Sequence, residues 1–236
     1  MITVARQTRI RGSVLVLAAI AVFLFVPRIA QDQGYHSFAD SRSIFGIPNF
    51  WNVVSHLAFA VVGIAGLQES KSAVGRVLFG GVLLTFFGSA YYYLAPGDER
   101  LVWDRLPMTL VFMAFLCWLL DDERLLWLLV AVGIASIVWW CITGDLRLYG
   151  VVQFVPLLVL IPALFTAPHR EALWAAAVFY VLAKLAEHFD SQIFALLPLS
   201  GHTLKHFLAA ASAYSILRWR RADASLESTR FEGRKV

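Results

Sequence analysis

Two histidines four positions apart, His202 and His206, open the last apolar stretch of the chain, in the run Ser200-Gly201-His202-Thr203-Leu204-Lys205-His206. On a helix they stack on one face, about 6 Å apart along the axis. That spacing suits two imidazoles gripping one metal ion, most often zinc. Two polar residues at a wet helix end give the same pattern. A second pair with this spacing, Ser89 and Tyr93, closes an earlier apolar stretch. Asp104 follows it in Leu101-Val102-Trp103-Asp104-Arg105-Leu106-Pro107-Met108. Taken singly, each has an ordinary role: Ser89 bonding back to its own helix, Tyr93 in an interfacial aromatic run, Asp104 as a helix N-cap, Arg105 reaching to the membrane interface. Lys184 and Glu187, three apart, are spaced to pair. Glu187, His188 and Asp190 read as the wet end of a helix, with support of a metal site as the alternative for Glu187. Asn52, Ser55 and His56 begin another apolar stretch. His56 reads as a hydrogen-bonded packing histidine, with a metal ligand as the alternative.

The segments that must position these residues are apolar throughout. The chain has 236 residues, of which 59% are hydrophobic and 15% charged, against about 25% charged in soluble domains. It divides into eight apolar segments, near 12–30, 50–67, 75–94, 105–120, 124–142, 149–166, 171–189 and 201–219. Each approaches the roughly 20 residues that a spanning helix needs. Turn and charge signals separate them, as in Pro96-Gly97-Asp98-Glu99 and Thr143-Gly144-Asp145. The expected fold class is all-α, a polytopic transmembrane helix bundle with no soluble domain. There is no Gly-rich phosphate loop and no aromatic-interleaved basic groove, so no nucleic acid is expected, and no protein partner is predicted. Without repeat symmetry or matching Gly/Pro-broken spans, a transporter is disfavoured. Cys117 and Cys141, placed near opposite ends of neighbouring spans, read as packing residues rather than a disulfide or a thiolate metal site.

Orientation follows from lysines and arginines near the helix ends. Arg6, Arg9 and Arg11 precede the first segment; Arg218, Arg220 and Arg221 follow the last, with Arg230, Arg234 and Lys235 beyond. An even number of spans puts both basic ends in the cytoplasm. The exoplasmic loops are then 31–49, 95–104, 143–148 and 190–200. The first segment has the basic start and apolar middle of a signal peptide. It lacks an Ala-x-Ala site, and Arg28 falls where a small residue is wanted, so it reads as a retained anchor. Trp51, Trp103, Trp139, Trp140, Trp219 and Tyr149 read as the interfacial aromatic belt. Ionisable groups inside spanning helices are costly unless paired, hydrated or bound. Ser89, Tyr93, Asp104, His202 and His206 all fall at one membrane depth near the exoplasmic face, which favours a joint metal site over five separate roles.

As a set, Ser89, then Asp104-Arg105-Leu106-Pro107-Met108 fifteen positions on, then His202-x-x-x-His206 resemble the alkaline ceramidase family. The chain looks most like the bacterial branch of the wider CREST superfamily of membrane hydrolases, which also takes in the progestin and adipoQ receptors. Asn49-Phe50-Trp51-Asn52-Val53-Val54-Ser55 is similar to the start of that family's first core span. The resemblance covers roughly residues 45 to 219. It divides the chain into an N-terminal anchor helix and exoplasmic loop (1–44), a seven-helix ceramidase-like membrane core (45–219) and a basic cytoplasmic tail (220–236).

The resemblance implies zinc held by three histidines, with a serine and an aspartate nearby. By position, Ser89 and Asp104 carry over as catalytic residues, and His202 and His206 as metal ligands. Where the family pattern has histidine four residues after Ser89, this chain has Tyr93. A phenol with a pKa near 10 is a poorer ligand at neutral pH than imidazole. Tyr93 therefore has three readings: it ligates, or His56 or a water fills the gap, or metal and activity are lost. The family's acidic calcium loop is poorly matched; Asp40, Asn49 and Asn52 are its nearest candidates, and calcium is not expected. The implied activity is zinc-dependent hydrolysis of a lipid amide, ceramide-like, at the exoplasmic side of a membrane, the bacterial inner membrane by resemblance. The alternative is an impaired or receptor-like lipid-binding membrane protein. Membrane lipids and the lipid substrate are the partners either way.

Overall fold

A computed structural model describes residues 20–232, with side chains through residue 222. Arg6, Arg9, Arg11, Arg234, Lys235, the side chain of Arg230 and most of the expected first span lie outside that range. Every regular element among the described residues is helical. After a helical stretch at residues 20–25 and a 3-10 turn at Gln33–His36 come α1 (Phe50–Val54), α2 (Leu57–Glu69), α3 (Ala73–Leu94), α4 (Asp98–Leu120), α5 (Leu126–Thr143), α6 (Arg147–Thr166), α7 (Arg170–His188), α8 (Asp190–Leu196) and α9 (Gly201–Glu232).

Among the described residues, five helical segments are long and apolar enough to cross a membrane: Phe50–Glu69, Ala73–Leu94, Asp98–Leu120, Glu123–Thr143 and Arg147–Thr166. They become six if α7 and α8, bent by 83° to each other, form one broken span. Their outward faces carry large apolar side chains such as Val61, Phe87, Trp127, Ile142, Leu158 and Phe165. No soluble protein leaves that much apolar surface open, so the chain is membrane-embedded. The final helix, α9, is not among these spans. It places His202, Lys205 and His206 in its first two turns and Arg218, Arg220 and Arg221 further on.

The helix ends have local causes. Ser72 caps α3 by accepting from the Gly75 amide at 3.1 Å. Ser200 caps α9 by accepting from the Thr203 amide at 3.1 Å. At the end of α5, Gly144 takes the left-handed conformation (φ +66°), and its amide donates to the Trp140 carbonyl at 2.7 Å. The first core span breaks between α1 and α2. There the His56 amide bonds the Val53 carbonyl rather than that of Asn52. The freed Asn52 carbonyl instead accepts from His56 Nδ1 at 2.6 Å and from Ser55 Oγ at 3.0 Å.

Neighbouring helices pack in the circular order α2, α3, α4, α6, α7, α9, and α9 closes the ring back onto α2. Helix α5 lies outside that ring, against α4 and α6. The ring surrounds a cavity of about 400 Å³. The loop 31–49 reaches the site at one end: Tyr35 lines the cavity, and the Phe38 ring lies 5.0 Å from that of Tyr93 and 4.6 Å from that of His202.

Several boundaries differ from the sequence reading. The fourth expected span begins at Asp98 rather than near 105, because Asp98 and Glu99 favour a helix first turn. Asp104 is therefore inside α4 rather than at its mouth, and Arg105 is buried rather than reaching outward. Trp140, Tyr149 and Trp219 are also buried and do not face an interface, whereas Trp103 and Trp139 are exposed as a belt requires. Cys117 is buried and Cys141 exposed, both as free thiols; only the first is a packing residue.

Candidate functional site

Two close helix approaches bring the chemistry together. Gly88, just before Ser89, lies so near α4 that an added Cβ would sit 1.9 Å from the Trp103 carbonyl oxygen. That contact sets Ser89 on α3 against Asp104 on α4, and Ser89 Oγ donates to Asp104 Oδ1. Gly201 approaches α7 as closely, with an added Cβ 2.1 Å from the Ala186 carbonyl oxygen. It seats the start of α9, where the His202 amide donates to Asp190 Oδ1 at 2.6 Å. Asp190 Oδ2 accepts from the Ala39 amide at 2.9 Å, tying the overlying loop to the same carboxylate.

The two histidines converge on one oxygen. Tyr93 Oη lies 2.6 Å from His202 Nε2 and 3.2 Å from His206 Nε2. All three side chains are buried. Hydrogen bookkeeping shows what each nitrogen offers. Ser55 Oγ spends its hydrogen on the Asn52 carbonyl, so at 2.7 Å it accepts from His206 Nδ1 and leaves His206 Nε2 bare. Lys205 Nζ, 3.0 Å from His202 Nε2, is donor only, so that nitrogen is bare as well. Two imidazole nitrogens thus face one phenol that has a single hydrogen, and the lone pair of one of them, His202 Nε2, also faces the Lys205 ammonium. Whichever imidazole takes it, the other meets the phenol oxygen with no hydrogen between them. A proton or a metal ion relieves that contact, and a set of two imidazoles and one oxygen suits zinc. His202, His206 and Tyr93 are the three side chains that could hold the implied ion. Among the described residues, no group of three or more His, Cys, Asp or Glu side chains is placed to hold a metal; the third donor here is a tyrosine.

Lys205 is the counter-feature. Its ammonium also pairs with Glu187 at 2.7 Å, and Glu187 pairs in turn with Lys184 at 2.8 Å. Glu187 is thus the carboxylate able to draw Lys205 off His202. The spacing of Lys184 and Glu187 had suggested their pairing; the bond to Lys205 joins it to the histidine cluster. His188 is exposed and meets the Phe189 ring edge to face. His56 donates from Nδ1 to its own helix, as a packing histidine does, and its ring lies 3.9 Å from that of His206. Asn49 donates to the Tyr93 carbonyl at 2.8 Å, and Asn52 accepts from Thr203 Oγ1 at 2.8 Å. These asparagines brace α3 and α9. The Asp40 carboxylate is taken up by Arg42.

Ser89, Tyr93, Asp104 and His206 all line the central cavity. Along α6 its wall passes from polar Gln153 to apolar Leu160 and Leu164, and Tyr180, Glu187, Phe115 and Ile216 line it as well. Burial holds the Tyr35 phenol in its neutral form, raised well above the usual range. Three contributors escaped the sequence reading. Ser55 orients His206 but had no signal apart from its neighbour His56. Lys205 sits three positions after His202, a spacing that puts the two on one helix face. Arg105 was placed at the wrong depth. No protein-family model matches the chain, and no curated protein matches it.

Proposed function

We propose that the protein is a metal-dependent membrane hydrolase of lipid amides, built on a seven-helix core like that of the alkaline ceramidases. The observation that carries this reading is the convergence of His202 Nε2 and His206 Nε2 on Tyr93 Oη, beside a hydrogen-bonded Ser89–Asp104 pair on the wall of one cavity. His202, His206 and Tyr93 would hold zinc. Zinc bound there would supply the positive charge that polarises a scissile carbonyl and acidifies water. Ser89 occupies Asp104 Oδ1, leaving Oδ2 to take a proton from the attacking water as general base. Once Asp104 carries that proton, the Ser89 hydroxyl is free to turn and donate to the developing oxyanion. Ser55 holds His206 in the tautomer that presents Nε2. The apolar end of the cavity receives an acyl chain, and the covering loop limits water. With both basic ends in the cytoplasm, the site opens at the exoplasmic side.

A second reading, a receptor-like or impaired lipid-binding protein, draws on two observations: Tyr93 stands where the family pattern has histidine, and the Lys205 ammonium contacts His202 Nε2. Substituting Tyr93→His separates the two. Purified protein in vesicles is assayed for release of fatty acid from a panel of acyl amides, ceramide included. Turnover by the wild-type chain, lost in Asp104→Asn, supports the hydrolase. An inactive wild type that gains both zinc and turnover with Tyr93→His identifies the present chain as the impaired form.

A further inference from the structure

Arg105 is a charged residue of the cavity wall that the proposed hydrolysis does not use. It is 7% exposed, so more than nine-tenths buried. Its guanidinium carbon lies 4.6 Å from the centre of the Trp140 ring, 4.9 Å from Tyr149 and 5.5 Å from Tyr35. Those π faces stabilise the cation without accepting a hydrogen bond in the plane of the guanidinium. Its Nη1 is buried with no hydrogen-bond partner. Asp104, adjacent in sequence, is engaged by Ser89 and not by Arg105. A buried guanidinium with an unmet donor is costly, and carboxylate is a partner that its planar fork fits.

The charges around the cavity point the same way. Arg105, Lys184 and Lys205 contribute three cations, against the two carboxylates Asp104 and Glu187. Glu187 is shared by the two lysines. Among the described residues no carboxylate is ion-paired with the guanidinium; Asp104 acts on it only through space. The guanidinium lies at the polar end of the cavity with Ser89, Asp104 and Tyr149, across from the apolar wall of Phe115, Leu160, Leu164 and Ile216. One occupant satisfies both ends: a single-chain amphiphile with its anionic group on Arg105 and its chain among those apolar residues.

We propose that Arg105 is an anion-binding residue, and that the cavity takes acyl amides whose head group carries a carboxylate, such as N-acyl amino acids. As a statement about substrate class this rests on the hydrolase reading; as a statement about binding it does not. Released fatty acid offers the same carboxylate directly on the chain, so the test includes both sources.

The test is equilibrium binding to full-length protein treated with chelator in neutral detergent, where no turnover intervenes. The ligands are N-lauroylglycine, its neutral analogue N-lauroylglycinamide, laurate and lauryl alcohol. The expected result is at least tenfold tighter binding of N-lauroylglycine than of the glycinamide. In Arg105→Gln that preference should vanish, while the glycinamide still binds. Arg105→Lys should retain part of it. Equal affinity of the wild type for the acid and the amide overturns the proposal, with no variant needed. A preference that survives Arg105→Gln overturns it too. A preference for laurate over lauryl alcohol without one for N-lauroylglycine reassigns Arg105 to the released acid and overturns the head-group assignment. Anion-selective binding without hydrolysis of any amide leaves Arg105 as proposed and removes the hydrolase. Hydrolysis of neutral amides without anion preference does the reverse.

Discussion

At the scale of single residues, the site depends on which nitrogen each imidazole presents. Ser55 decides this for His206, because its hydroxyl hydrogen is committed to Asn52 and it can only accept from Nδ1. Substituting Ser55→Ala removes that constraint while leaving the two histidines in place. Metal affinity, read by competition with a chelator, should fall about 10- to 100-fold, as it does when a partner that orients a ligand is lost. Unchanged affinity would mean that His206 is fixed by packing alone. His202 and His206 were legible in the sequence because helical spacing alone puts them on one face. Ser55 was not, because its role arises from a break between α1 and α2 that frees the Asn52 carbonyl. Arg105 was misplaced for a related reason. Its depth depends on where α4 starts, and hydropathy put that start at the first long apolar run rather than at Asp98.

At the scale of elements, two glycines let helices touch where side chains must meet. The substitution Gly88→Ala pushes a methyl into the Trp103 carbonyl and forces α3 away from α4. Thermal unfolding in detergent should show a loss of about 1–3 kcal/mol, typical of overpacking, together with loss of turnover because Ser89 leaves Asp104. Normal stability and turnover would show that the helices separate without cost. The link between α5 and α6 carries a pH signature. The Arg147 guanidinium beside Asp145 holds that carboxyl down at about 2. A depressed folded-state pKa stabilises the fold above the unfolded value of about 4 and loses that contribution as pH falls toward 2. Unfolding temperature should therefore drop below about pH 4 in the wild type, and more shallowly in Asp145→Asn. Identical profiles for the two would exclude Asp145 as a contributor. The spans themselves were largely readable from apolar length. The 83° bend between α7 and α8 was not, because a polar run after His188 reads as a loop whether or not it holds a short helix.

At the scale of the whole molecule, a ring of six helices closes around one cavity, and α9, the least apolar of them in its first turns, carries the histidines into that ring. The described part of the N-terminal segment, residues 20–30, packs against the junction of α5 and α6. It is tied on through Arg147 Nη1, which donates to the Phe23 and Val26 carbonyls at 3.1 and 3.0 Å. The spatial closure of α9 onto α2 is what hydropathy cannot supply, since it records how long a segment is but not what it packs against. That closure is also what brings Ser55 to His206 and Tyr93 to both histidines. The most direct test of the proposed centre is the metal content of the purified full-length protein, measured by mass spectrometry beside His206→Ala. The expected result is close to one zinc per wild-type chain and almost none in the variant, with both still folded. A wild type that contains no metal, and hydrolyses lipid amides at the same rate after exhaustive chelation, would contradict it.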